Sequence, residues 1–456
     1  MKLYPRGDES KILGYNPDVM KRKLGMFSLV SFIFVVVCVT PAGAKENDLN
    51  GHWEGAIVQP SGELKMAVDF VTDGSIKGTF TVPAFAALNW PLRVAYAAPN
   101  VKFRLPTGLL FEGELQGDTI SGKVPSPTGG HVDTFYLKSK PAAALPYREE
   151  NITFQSGGVT LGGTLRLPLT KGKHPALFIM QGSGAVARDG EWFYADHFTR
   201  HGVVTLVYDK RGTGNSGGDF RDESINDYAE EALAAIHYLQ SRREVNPKRV
   251  GLYGRSHGGI VAPLAASLSN DVAFIINVSG TGVRPYQQVT YQAEAQMRRD
   301  GFSETDIADA IAYMNLKWEV ARNGGKGWDR LQAATQNIRD KKWADRVQIA
   351  TKLEDITKGW KLEMNYDPMP ALEKVKCPVL VIFGELDTYG PVTETIANYR
   401  KGLAKAGNKN LTIKVFPNAD HALLVWPKPN DQNHWPVLPN GYLDTMTNFL
   451  DKQTRR

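Results

Sequence analysis

Five short runs beyond residue 170 are apolar almost from end to end: PALFIMQ (175–181), VVTLVYD (203–209), RVGLYG (249–254), VAFIINVSG (272–280) and PVLVIFG (378–384). A strand with one wet face alternates apolar and polar residues. A strand covered by helices on both faces has no reason to, and such runs are the mark of a parallel sheet. The intervening segments have helical spacing. WFYADHFTRHG stops at Gly202. SINDYAEEALAAIHYLQSRR opens with Ser224 and Asp227 placed as a capping box, and GGIVAPLAASL follows the third run. ITFQSGGVTLGGTLRLP (152–168) reads as a hairpin, LTIKVF (411–416) as a further strand and YLDTMTNFL (442–450) as a closing helix. Strands alternating with helices in this way predict a doubly wound, mostly parallel α/β sheet over residues 148–456.

One stretch breaks the alternation. Residues 283–366 fall between two expected sheet strands yet carry only helix-like sequence, which predicts a helical cap insertion. SETDIADAIAYMNLKWEV begins with another capping-box pair, Ser303 and Asp306. It sets Ile307, Ile311, Met314 and Trp318 on one stripe, which is read as core packing of the insertion. Residues 45–140 have a different texture. ELKMAVDF alternates at the strand period, TDGS turns, and LLFEGELQGDTISGKV repeats the unit; NVKFRL and HVDTFYL supply further strands. This part predicts a small antiparallel β domain, sandwich or barrel, joined through KSKPAAALPY (138–147).

Residues 1–44 read as a secretory signal: KRK at 21–23, the apolar run LGMFSLVSFIFVVVCV, and the small residues Ala42 and Ala44 before a cut. The run is short for a membrane span, so an uncleaved anchor is the alternative. Translation starting at Met20 would give the signal a more usual basic head. Cleavage predicts a secreted or periplasmic protein and leaves Cys377 as the one thiol, which excludes a disulfide framework. The segment also holds six basic side chains against three acidic ones. Half of the formal net charge of +6 leaves with it, too little remaining to argue for nucleic acid.

GLYGRSHGG (251–259) places Ser256 between two glycines, directly after an expected strand and before an expected helix. That context belongs to a sharp turn presenting a nucleophilic serine. Such a serine needs a base and an orienting acid, which in this arrangement follow along the chain in the order serine, acid, histidine. Downstream histidines are His421, just past a strand in VFPNADHAL, and His434, which reads as a surface residue in a Pro- and Trp-rich tail. His421 is the expected base. Asp387 in PVLVIFGELDTYGPV is the expected acid, with Glu385 second and Asp420 too near His421 in sequence to grip its ring. Backbone donors for a tetrahedral oxyanion would be the N–H of His257 and that of Ser183 in FIMQGSGAVARDG; an ordinary strand-end turn is the plainer reading of the latter loop.

With these pieces in place the chain resembles the α/β-hydrolase superfamily, in particular secreted bacterial serine esterases related to the prolyl oligopeptidase and dienelactone hydrolase branches. The resemblance rests on QGSG with the nearby RDG, DKRGTGNSGG, GRSHGG, GELD and ADHA, between about 150 and 455. It implies an oxyanion loop, a structural Asp-Arg-Gly turn, a nucleophile, an acid and a base in that order. Asp209 and Arg211 then become structural, as a charged pair bracing a loop. Gln181 stands where the family often has histidine, and a front domain of about 90 residues is far too short for the propeller that screens peptides in oligopeptidases.

The expected activity is hydrolysis of a small-molecule carboxylic ester through an acyl-enzyme. A peptidase or thioesterase with the same triad, or a non-catalytic binding module, is the alternative. No cofactor is expected. GTGNSGG meets the dinucleotide spacing only loosely. His197 and His201 stand at i, i+4 but lack the adjacent glutamate of a zinc helix, so a solvated helix face is the reading there.

Overall fold

The computed structural model describes residues 49–428 and 430–454. The expected signal, its cleavage site and Cys38 lie outside them. The described residues form two compact units. The first comprises the residues up to Pro83, Ala87–Ala143 and the short piece Gln432–His434. The second comprises Ala84–Ala86, Ala144–Asp431 and Trp435 onward, so the division is not a single cut in the sequence.

In the first unit eight strands close into a barrel: β1 Gly51–Gln59, β2 Gly62–Asp73, β3 Ser75–Val82, β4 Ala87–Ala97, β5 Asn100–Arg104, β6 Leu110–Gln116, β7 Thr119–Pro125 and β8 Val132–Lys140. Each pairs antiparallel with the next, and β1 closes on β8 from His52 opposite Lys140 to Val58 opposite Thr134. Closure decides between the two expected architectures, and it leaves no strand edge unpaired. The alternation seen in the sequence points Met66, Val68 and Phe70 of β2 inward, together with Phe80, Phe103, Phe111 and Phe135. The Phe103 and Phe111 rings stack at 4.7 Å, and Phe135 meets both edge-on at 5.6 and 5.2 Å. Strands β1 and β4 are additions to the sequence reading. In β4, Asn89 at φ +55° and Pro91 break the strand signature.

The second unit is built on an eight-stranded sheet: β9 Tyr147–Ser156, β10 Val159–Pro168, β11 His174–Met180, β12 Val204–Tyr208, β13 Val245–Arg255, β14 Ile275–Val278, β15 Val379–Gly384 and β16 Leu411–Phe416. Its order is β16-β15-β14-β13-β11-β12-β10-β9. Strands β11 to β16 run parallel, and the β9–β10 hairpin joins β12 antiparallel. Every residue of β12, β14 and β15 is buried, as their unbroken apolar sequences require.

Helices cover both faces: α1 Trp192–Arg200, α2 Ile225–Ser241 and α3 His257–Leu268. The expected box at the head of α2 forms, with Asp227 N–H donating to Ser224 Oγ at 3.2 Å and Ser224 N–H to Asp227 Oδ2 at 2.7 Å.

Between β14 and β15 lie α4 Pro285–Arg299, α5 Glu304–Arg322, α6 Trp328–Ile338, α7 Leu353–Gly359, a wider helical turn Trp360–Met364, and α8 Met369–Leu372. The elements up to Met364 have their own core, with Trp318, Trp343 and Trp360 inside it. Ala371 and Leu372 of α8 instead join the core of the sheet. The second expected capping box is only half made. Ser303 Oγ accepts from Asp306 N–H at 3.1 Å, but Asp306 Oδ1 is taken by the indole of Trp343 at 3.1 Å. The chain closes with α9 Val392–Lys405 and α10 Tyr442–Thr454. α10 corrects the reading of one member of the His197/His201 pair, while His201 is exposed as a solvated face requires. His197 is not on a solvated face but packs toward α10, with its Nε2 3.0 Å from Thr447 Oγ1, and burial pushes its imidazole down to about 4.

Candidate active site

Strand β13 delivers Ser256 to the carboxyl edge of the sheet, and α3 begins at the next residue. Ser256 sits at φ +53°, ψ −115°, a conformation that side chains avoid. The turn is tight enough that a Cβ on Gly254 would stand 2.2 Å from Gly258 O, so only glycine fits there. As the first residue of α3, His257 contributes one of the N–H groups that a helix leaves without an internal acceptor.

Two loops bring partners to the serine. After β15, Asp387 is buried and receives the Tyr389 N–H on Oδ1 at 2.8 Å, leaving Oδ2 for His421 Nδ1 at 2.8 Å. After β16, His421 turns its other nitrogen toward the nucleophile, with Nε2 3.1 Å from Ser256 Oγ. The loop carrying His421 is fixed from three sides. Asp420 accepts from the Ala422 and Leu424 N–H groups at 2.9 Å each and from the Trp426 indole at 2.7 Å. Ser279, itself at φ +58°, donates to His421 O at 2.9 Å, and the Tyr389 ring stacks on the imidazole at 4.4 Å.

The competing residues are engaged elsewhere. Glu385 is exposed and accepts from Asn418 N–H at 3.0 Å, and Asp420 braces its own loop. His434 differs from its expectation as a surface residue. It is buried in the first unit, with Nδ1 2.6 Å from Asp133 Oδ1 and its ring stacked on His131 at 4.1 Å. Its neighbours Trp435 and Pro436 are buried as well.

The loop after β11 passes beside the nucleophile: a Cβ on Gly182 would lie 3.7 Å from the Ser256 Cβ. Gln181, which stands in place of the family's frequent histidine, donates from Nε2 to Tyr208 O, and its backbone carbonyl accepts from Gly258 N–H at 3.1 Å. Ser183 follows in the exposed part of this loop, and neither its N–H nor that of His257 is spent on a backbone carbonyl.

Beneath the site lies a layer of buried charge. Asp209 and Arg211 both brace loops, but they are not paired with each other. Asp209 pairs with Arg188 at 2.5 Å and also accepts from the Arg188 and Asn215 N–H groups. Arg211 lies between Glu223 at 2.9 Å and Glu231 at 2.7 Å, partners 12 and 20 residues onward that spacing could not reveal. Burial, followed by the neighbouring Glu231, raises the Glu223 carboxyl well above the ordinary range. A carboxyl that holds its proton in the fold but releases it on unfolding makes stability fall as pH rises above the ordinary glutamate value. Glu223→Gln is expected to flatten that decline, read as unfolding midpoints in urea between pH 5 and 8.

The cap reaches into the same layer. Glu363 Oε1 lies 3.1 Å from His257 Nε2, and the His257 ring meets Tyr228 edge-on at 4.7 Å. Burial alone would raise the Glu363 carboxyl, but the His257 and Lys210 charges outweigh it and hold it below its usual value. Lys210 lies in the DKRGTGNSGG run, where the resemblance gives roles only to Asp209 and Arg211, and nothing in the sequence marks Glu363.

Comparison with known proteins finds the following similarities. A thiohydrolase of Eupenicillium brefeldianum is 27% identical over 302 residues, covering 62% of this chain and 94% of its own. A 31.7 kDa Escherichia coli protein from the traX-finO intergenic region is 24% identical over 54% of this chain and 82% of its own. Among solved structures, Est1E of Butyrivibrio proteoclasticus with bound ferulic acid is similar over 66% of this chain and 96% of its own, at 17% identity and a TM-score of 0.41. The family model described as X-Pro dipeptidyl-peptidase (S15 family) matches residues 157–421. With more than half of its length inside that match, and a sheet of the order described above, the chain belongs to the S15 family of X-Pro dipeptidyl-peptidases, hydrolases of the α/β-hydrolase fold.

Proposed function

We propose that the protein is a secreted serine hydrolase that cleaves carboxylic esters through an acyl-enzyme, with Ser256, His421 and Asp387 as its triad. One observation carries the reading: the continuous chain from Ser256 Oγ to His421 Nε2 (3.1 Å) and from His421 Nδ1 to Asp387 Oδ2 (2.8 Å). In this reading Asp387 keeps the proton on Nδ1, so Nε2 is free to accept. The Ser256 hydroxyl attacks the ester carbonyl while His421 takes its proton. The oxyanion lies against the N–H groups of Ser183 and His257, and the positive end of α3 adds to their field. His421 then gives the proton to the departing alcohol, and water deprotonated by His421 releases the acid from the serine.

The same steps cleave amides and thioesters, and the choice depends on the pocket and the leaving group. The family's description favours an amide as the second reading, an X-Pro peptide. Matched 4-nitrophenyl ester and 4-nitroanilide substrates decide between them. The ester is expected to be the productive one; turnover of an X-Pro anilide with kcat/KM above about 10⁴ M⁻¹s⁻¹, the ordinary range for a true substrate, would overturn the ester reading.

A further inference from the structure

The proposed chemistry assigns no task to Lys210. This side chain follows β12, is 1% exposed, and donates from Nζ to the Gly182 carbonyl at 2.5 Å. It faces Glu363 of the cap, Glu223, Glu231 of α2 and Glu191 before α1, with the Tyr228 ring centred 5.0 Å away. A buried cation is costly unless its hydrogen bonds are well placed. With four acidic side chains near it, this one is directed at a neutral carbonyl.

That carbonyl is half of a particular peptide group. Gly182 supplies its C=O and Ser183 its N–H, and a trans peptide is a rigid plate on which the two point in opposite directions. Holding the oxygen from one side therefore aims the N–H from the other. A positive charge on the oxygen also polarises the amide, which strengthens its N–H as a donor. The preceding peptide is held independently, through Gln181 O and Gly258 N–H, so the loop is pinned to α3 on one side and to Lys210 on the other.

We propose that Lys210 is a positioning residue for the oxyanion hole: its ammonium grips the Gly182 carbonyl and thereby aims and strengthens the Ser183 N–H toward the oxygen of the tetrahedral intermediate. This rests on the triad reading above. Lys210 touches no reacting atom, and its effect grows as negative charge develops. Its loss therefore falls on kcat and not on KM.

The test compares the full-length protein with Lys210→Met and Lys210→Arg on 4-nitrophenyl butyrate, with a fluorophosphonate, and with a trifluoromethyl ketone whose hemiketal oxygen occupies the hole. Lys210→Met is expected to lose about 10²-fold in kcat with KM little changed, and to bind the ketone more weakly in parallel; Lys210→Arg, which keeps the charge, recovers part of both. Burial pushes the Lys210 ammonium down to about 8, so wild-type kcat should decline above that pH and Lys210→Met should lack the decline. Should Lys210→Met fail to fold, Glu363→Gln reads the same interaction: with one opposing carboxylate removed, the alkaline decline moves to lower pH. An unmoved decline there, or a folded Lys210→Met with wild-type kcat and ketone affinity, overturns the proposal. A wild-type protein whose Ser256 takes no fluorophosphonate overturns the triad reading first, and this inference with it.

Discussion

Ser256→Ala is expected to lower ester turnover by more than about 10⁴-fold while leaving thermal unfolding unchanged. Losing the nucleophile of a triad costs nearly as much as losing all of its members, because His421 then has no hydroxyl proton to take and Asp387 orients a base with nothing to activate. What survives is water attack assisted by the oxyanion donors alone. Stability should not follow activity, since the Ser256 hydroxyl faces His421 and fills no gap in the core. Intact-mass measurement after fluorophosphonate treatment gives the second readout: one adduct on the parent and none on the variant. A variant that kept its turnover would end the triad reading.

The second large effect is on folding. Asp209→Ala should destabilise the protein by about 3–5 kcal/mol, read as a lower urea midpoint with an unchanged slope. The substitution leaves the buried Arg188 guanidinium uncompensated and strips acceptors from the Arg188 and Asn215 N–H groups. Replacing Arg188 as well, by methionine, should recover part of the loss, because the unpaired buried charge is then gone. Burial works against the Asp209 carboxylate, but the Arg188 and Asn215 hydrogen bonds win and hold its pKa below the ordinary value. A depressed carboxyl contributes stability that is present above the unfolded value, about 4, and is lost as pH falls through the folded one. Asp209→Ala should therefore flatten the acid side of the stability curve.

What could be read from the sequence was whatever local pattern controls. Strands buried on both faces announce themselves by unbroken apolar runs, and the ends of three such strands are where Ser256, Asp387 and the loop to Ser183 were expected. A loop after LTIKVF can project His421, and the structure brings its ring to both Ser256 and Asp387. Residues whose importance comes from the partner they meet in space left no such trace. Lys210 is a lysine between an aspartate and an arginine until Gly182, 28 residues earlier, is seen against it. Glu363 lies in a helical insertion with nothing to mark it, and Tyr389 and Ser279 matter through a ring stack and one hydrogen bond to the histidine loop. The front domain shows the same limit: alternation marks six of its eight strands, and closure depends on β1, which it does not mark, meeting β8, a pairing of residues about 80 positions apart in sequence.

The backbone at Ser256 has a consequence for how such a chain ages under mutation. At φ +53°, ψ −115° a residue bearing a side chain carries a standing strain of about 1–3 kcal/mol that glycine would not feel. Folding alone would thus reward the exchange of serine for glycine at this position, and only the reaction opposes it. In a lineage that had stopped using the activity, decay would run downhill here: position 256 would be among the first to relax, and the relaxed descendants would be the sturdier ones.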